Sequence, residues 1–563
     1  VSALKEPIPL SENPIAALAA HVSGPLLMDH CRAMAQWVKL SGTKEEAESL
    51  GYIRARLEEC GYRTRIIRHD AYISLPGEAR VEVDGKRLAA ITHSMARSSP
   101  GEGLCADLVY VGAATPADFA GKDVRGKIIL AEGIATPQVA ALARDAGAAG
   151  QLHISPHHHL HEMCISPVWG SPDPITFAQL PSTVACTISN ADGTRLRERL
   201  ARGEAPSVTL HAKVDTAWRK TPILEAELDA PGGNADTPFI LFSGHHDTWY
   251  YGVMDNGSAN ATMLETARIA LACRSTWKRG LRICFWSGHS HGRYSGSAWY
   301  ADNHWEELDR RCAAHVNVDS TGGIGATLLE DAAAMAPLHA LAEDAITVQT
   351  GHQYKGKRKN RSSDESLPAM GVPSMFGMLS EQPPSHIKMR NALGWWWHTP
   401  EDLLDKVDEA NLVRDTRVFV HAIAKLLTET TLPLDVAAHV HTLQVELATL
   451  ADTLGDRFDL APLVASADAL QSRAAQLTAP SDATLIALSR ILVPIDYATT
   501  DRFNHDPALP IPDWAILQPM RDLAATVPGT DAAHLHGVSA RRAANRLSYA
   551  LRSAHAVLDG AMA

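Results

Sequence analysis

Histidines and carboxylates recur in this chain where short apolar runs end, and such side chains are the ones that hold divalent metal ions. Gly244-His245-His246-Asp247 closes the run at residues 239–243. The next stretch carries Met254-Asp255-Asn256-Gly257-Ser258, and a run at residues 314–318 closes on Asp319. A further imidazole, His398, arrives in Trp395-Trp396-Trp397-His398-Thr399-Pro400-Glu401-Asp402. Imidazole nitrogen combined with carboxylate oxygen suits zinc or a similar transition metal, and one or two ions so held make water reactive at neutral pH.

Separate elements must carry these groups together. The runs at 239–243, 281–286 and 314–318 read as buried strands separated by helical stretches such as 259–271. That alternation specifies an α/β fold, a mostly parallel sheet flanked by helices, and ligands gather beyond the carboxyl ends of such strands. Residues 14–62 read as helices, with Thr43 and Glu46 forming a capping-box pattern that opens a helix through Glu58, and a strand at 62–67 follows. From Ala79 the character changes to short strands and turns, at 107–112 and 124–130, with an alanine-rich helix at 139–147, which predicts a small inserted α/β domain ending near Trp218. From about Leu432 the chain is Ala/Leu-rich with helical period, Leu443, Leu447 and Leu450 marking one face, and is interrupted at 491–496 and at the Pro-rich stretch 507–512. The expected domains are 1–78 with 219–430, 79–218, and 431–563.

A chain of 563 residues exceeds a single hydrophobic core. Its 64 acidic against 52 basic residues argue against nucleic acid or an anionic membrane as the main partner. The eight cysteines show no paired spacing and read as reduced core thiols. No apolar run approaches the roughly 20 residues of a membrane span, no basic-then-apolar leader opens the chain, and a cytoplasmic location is the expectation.

In order and spacing, His245-x-Asp247, Asp255-Asn-Gly-Ser, Asn317-Val-Asp319 and the His398–Asp408 stretch resemble the successive signatures of the M28 metallopeptidases. The inserted segment, with Gly126-Lys-Ile-Ile-Leu and Ala146-Gly-Ala-Ala-Gly150, resembles a protease-associated domain. The C-terminal part, including Arg502-Phe-Asn-His-Asp-Pro507, resembles the helical dimerisation domain of the glutamate carboxypeptidase II and transferrin receptor group, which implies a homodimer. The resemblance further implies that His245, Asp255 and Asp319 hold one metal, that Asp255 bridges to a second bound by His398, and that Asp247 orients His245.

One signature departs from that family. Its members follow the middle strand with a Glu-Glu pair, a general base and a metal ligand, whereas this chain reads Trp286-Ser-Gly-His289-Ser290-His291-Gly-Arg293. Alignment from Gly296-Ser297 backwards puts Ser290 and His291 on the pair; alignment from Trp286 forwards puts His289 and Ser290 there. His291 is the favoured replacement ligand, with His289 as the other candidate, and either histidine can carry a proton near neutral pH. The expected activity is metal-dependent hydrolysis of an amide bond in a small carboxylate-bearing molecule or short peptide.

Two alternatives stand beside it. One is an inactive binding protein like the transferrin receptor. The other is a serine hydrolase, since Gly288-His-Ser-His-Gly292 satisfies G-x-S-x-G and Ser290, Asp319 and His398 follow in triad order. Arg293, Arg361 and Arg390 are candidate carboxylate grips, Trp397 a candidate pocket wall and Asn256 a candidate substrate contact. The histidine-rich run at His153, His157, His158, His159 and His161 reads as a solvated loop, with metal binding as the alternative.

Overall fold

The computed structural model describes residues 14–384 and 393–562. Its centre is four adjacent parallel strands, Gly280–Trp286, Phe239–His245, Cys312–Asp319 and Ser374–Met378. The first three are buried at every position, as parallel strands covered on both faces must be. Side chains alternate between two cores: Ile240, Phe242, Ile283, Phe285, Val316 and Val318 face one, and Phe239, Leu241, Cys284, Trp286 and Cys312 face the other. The first core is closed by helices Ala259–Ala270 and Glu409–Thr428. The second is closed by Ser295–Asn303, through Tyr300 and Ala301, and by Trp305–Arg311, through Leu308.

Beyond Gly280–Trp286 the sheet turns antiparallel. Strand Val208–Leu228 pairs there, and Arg63–Val83 pairs with it over nearly the full length of both. The strand expected at 62–67 is therefore far longer, because Pro76-Gly77, read as a break, is absorbed by a register shift between Pro76 and Ala79. This ribbon runs from the central sheet to Lys86–Thr92 and on to four parallel strands, Val184–Ile188, Gly150–Ile154, Ile128–Glu132 and Leu108–Tyr110. The boundaries drawn at 78 and 218 fall inside its two long strands.

Helix Lys44–Glu59 opens as expected on Thr43, whose hydroxyl accepts the Glu46 amide, but the Glu46 carboxylate takes the Gly42 amide, one residue earlier than a capping box would. The C-terminal region is helical, with Val436–Leu454, Ala461–Ala474, Asp482–Tyr497 and Asp531–Met562. The interruption expected at 491–496 does not occur. Pro494 lies in the last turn of Asp482–Tyr497, where its missing N–H costs one helical bond and the helix ends soon after. Among the described residues no helix is long and apolar enough to cross a membrane, and all eight cysteines are free thiols.

Candidate active site

The carboxyl ends of the central strands deliver the expected groups to one place. His245 sits on the last residue of its strand, where Gly244 permits close approach: a Cβ there would lie 2.6 Å from the Val318 carbonyl. His245 Nδ1 is 2.8 Å from the Asp247 carbonyl, which fixes Nδ1–H as the donor there and turns Nε2 inward toward the carboxylates. That Nε2 lies 3.1 Å from Asp255 Oδ1 and 3.7 Å from Asp319 Oδ1. His398 Nε2 reaches Asp255 Oδ2 at 3.0 Å, so one carboxylate faces a histidine on each side. His245 Nε2 and Asp255 Oδ1 are buried without a proper hydrogen-bond partner.

Each of these groups is held from behind. Asp402 accepts the Met254 and Asp255 amides at 2.9 and 3.0 Å and fixes the Asp255 backbone. Asp319 accepts from the Ser320 and Ser363 hydroxyls. His398 Nδ1 donates to the Glu162 carbonyl at 2.6 Å, and its ring stacks on Trp397 at 3.5 Å. Asn256 is fully buried, its amide donating to the His245 and Val318 carbonyls and its oxygen accepting from Ser320 N–H. All its partners are main-chain groups that brace two strand ends. Ser320, Ser363, Asp364 and His398 all have positive φ, as do Arg293 and Tyr294 nearby, strain of the kind that gathers at functional sites.

The divergent segment 289–293 forms a short turn over these groups. Asp247 anchors it, its carboxylate accepting the His289 and Ser290 amides at 3.1 and 2.9 Å and the Ser41 hydroxyl at 2.7 Å. Asp247 thus meets His245 through its main-chain oxygen and spends its side chain on this turn. The ring of His289 lies parallel to that of His245 with centroids 3.6 Å apart, and its Nδ1 is 2.7 Å from Asp364. His245, His289 and Asp319 each offer a ligand atom within 4.8 Å of the others. The Ser41 hydroxyl donates to Asp247 and lies 2.9 Å from His291 Nδ1, with the Ser41 amide 3.4 Å from the same nitrogen, while His291 Nε2 is buried with no hydrogen-bond partner. His291 and His398 both pack against Trp249, at 4.4 and 5.4 Å.

Ser290 Oγ is buried with no hydrogen-bond partner, while His398 is committed to Asp255 and Glu162 and Asp319 to His245, Ser320 and Ser363. The Ser290–His398–Asp319 relay is not formed.

The electrostatics follow from burying two carboxylates together. Burial opposes ionisation of Asp255, yet His245 and His398 hold it well below the usual carboxylate range. Asp319 is lowered in the same way, burial being outweighed by His245. Burial would push His245 down, but Asp255 and Asp319 hold it well above an ordinary imidazole. The cluster therefore demands positive charge at its centre. Unpartnered acceptors aimed at a common point, backed by fixed tautomers, fit a divalent ion held by His245, Asp255 and Asp319, with His398 across the Asp255 carboxylate.

Arg293 follows the turn directly; its Nε is buried without a hydrogen-bond partner, and among the described residues no ion pair engages its guanidinium, which rests 5.0 Å from the Tyr294 ring centroid. The loop at 167–174 reaches this point, Gly170 N–H donating to the Arg293 carbonyl and Trp169 packing on Tyr294. Arg361 is spoken for: it lies over Trp169 at 3.8 Å and donates to the Glu365 and Asp506 carbonyls. Arg390 lies outside the described residues. Asp364 was missed from the sequence, where it is one carboxylate in Ser362-Ser363-Asp364-Glu365 with no periodicity to single it out.

Residues 227–423 match peptidase family M28. The chain carries an M28 peptidase domain. The probable glutamate carboxypeptidase VP8 of Zea mays is 22% identical over 510 residues, covering 75% of this chain and 69% of that protein. The aminopeptidase NAALADL1 of Mus musculus is 30% identical over 94 residues, 16% of this chain and 12% of that protein. The M28 match and these relatives support a metallopeptidase of the glutamate carboxypeptidase-like group. An aminopeptidase from Aneurinibacillus sp. strain AM-1 has a similar fold, with TM-score 0.56 and 21% identity, covering 73% of this chain and 95% of that one. BSAP, a zinc aminopeptidase from Bacillus subtilis, gives TM-score 0.55 and 18% identity over 72% of this chain and 96% of its own.

Proposed function

We propose that this metallopeptidase hydrolyses an amide bond in a small, carboxylate-bearing substrate through an atypical M28 site in which histidines replace the Glu-Glu pair. The observation that carries this reading is the convergence of His245 Nε2 and Asp255 Oδ1, 3.1 Å apart, buried and unpartnered. Such an arrangement is costly unless a cation occupies it. Zinc bound there supplies a polarised carbonyl and a water acidic enough to react at neutral pH.

The chain's own groups would divide the remaining work. His289 keeps part of its ring open to solvent, while Ser290 and His291 beside it are buried. With Asp364 on its Nδ1, His289 has the orientation of a base that collects a proton from water and returns it to the leaving amine. His291, with Nδ1 tied to Ser41, its Nε2 buried without a partner and its ring on Trp249 as that of His398 is, is the candidate replacement ligand for a second ion. Arg293 is the uncommitted cation of the region and suits a substrate carboxylate, and Trp397 beneath His398 forms part of the floor.

The inserted unit, read as a protease-associated domain, supports the site through Glu162 and the loop at 167–174. Exposed Leu535, Val538 and Tyr549 on the last helix support pairing of two chains there. A binding-protein reading leaves the buried acceptors without a purpose. The test is a panel of N-acyl amino acids and dipeptides assayed with zinc-loaded and chelator-treated protein. Zinc-restored cleavage of substrates with a free carboxylate is expected, and no cleavage of any member at any zinc level contradicts it.

A further inference from the structure

Strand Gly150–Ile154 runs into a segment that places three consecutive histidines against the Trp395–His398 loop. His157 is buried; its Nδ1 accepts the His159 amide at 3.0 Å, and its Nε2 lies 2.8 Å from His161 Nε2. His161 in turn donates from Nδ1 to the Trp397 carbonyl. His158 is exposed, its ring 3.9 Å from that of His159, and His159 stacks on Trp395 at 4.2 Å. These rings are gathered by the packing of the loop, and His157, His158 and His159 each bring a ring nitrogen within 4.8 Å of the other two.

We propose that His157, His158 and His159 form a second transition-metal site, separate from the strand-end cluster and taking an ion of the zinc class. Three imidazoles without a hard oxygen set select zinc, copper or nickel over calcium or magnesium. The Glu401 carboxylate, 3.9 Å from His159 Nδ1, supplies the acidic neighbour that commonly accompanies a histidine ligand. Both His157 nitrogens are in hydrogen bonds, to the His159 amide and to His161, and an ion there takes one of them.

The position gives the ion a consequence. The same segment holds His398 through the Glu162 carbonyl and the Trp397 backbone through His161. An ion bridging residues 157–159 clips the support of a strand-end ligand without touching that ligand.

The experiment is zinc titration with stoichiometry read by calorimetry and elemental analysis on three full-length proteins: the wild type, His158→Gln/His159→Gln, and Asp255→Asn/Asp319→Asn. The wild type is expected to bind one more zinc per chain than the histidine-loop variant. The carboxylate variant is expected to keep the loop ion, and zinc should raise its melting temperature. The single variant His158→Gln, altered at an exposed side chain, repeats the reading if the double variant folds poorly. Equal zinc stoichiometry in the wild type and the histidine-loop variants overturns the site. Loss of strand-end zinc alone leaves it standing and counts against the proposed function instead.

Discussion

His289 lies flat on His245, ring centroids 3.6 Å apart and planes 14° from parallel, while its Nδ1 meets Asp364 at 2.7 Å. A ring clamped between His245 and a carboxylate is fixed in place, which is the requirement for moving a proton on cue.

Replacement of His289 by Gln is therefore expected to lower kcat by about 10²–10⁴-fold, the usual share of a general base, with zinc content unchanged. Asp364→Asn should cost about 10–100-fold, since it only orients the ring. Steady-state kinetics with elemental analysis checks both. Zinc lost in parallel with turnover in His289→Gln would reassign that residue as a ligand.

Much of this arrangement was legible in the sequence. His245, Asp255 and Asp319 announce themselves because they end buried strands or the loop after one, and His398 because its flanking residues form a dense motif; the structure brings all four together. The ambiguity at 289–291 was physical, since a segment with one extra residue can be aligned from either end and only the turn anchored by Asp247 separates the three side chains. Asp364 was invisible because its role comes from tertiary approach across the sheet. The long ribbon of Arg63–Val83 and Val208–Leu228 was hidden for a related reason: most of its residues are only partly buried or exposed, so its alternation is weak and Pro76-Gly77 mimics an end. Strand Ser374–Met378, short and rich in Met, carries too little β-branched content to stand out.

His291→Ala should remove the ion on the His398 side of Asp255. Zinc per chain is expected to fall and turnover with it, whereas His291→Ala with unchanged metal and turnover would strike His291 from the ligand set.

Acid stability follows from buried neutral histidines. Burial is the leading cause that lowers His30, His69 and His153 from 6.5 to about 4. Between pH 6.5 and 4 the unfolded chain binds these protons and the folded one does not, so stability falls as the pH drops through that window, by up to roughly 3 kcal/mol for each group. Urea unfolding at steps from pH 7 to 4 measures the slope, and a flat profile contradicts it.

Arg279 is fully buried where the central sheet meets the C-terminal helices, donating to the Leu426 and Glu429 carbonyls and pairing with Asp482. Arg279→Ala leaves those acceptors and the carboxylate without their partner. A loss of about 3–5 kcal/mol is expected, read by chemical denaturation, and a change under 1 kcal/mol would show that the junction does not depend on it.

The central claim is that side chains from separate strands trap a cation. Anomalous difference density collected at the zinc edge from zinc-loaded crystals tests it most directly. A peak is expected between His245 Nε2, Asp255 and Asp319. A well-ordered map with no peak there, and with His245 simply paired to Asp255, would contradict it.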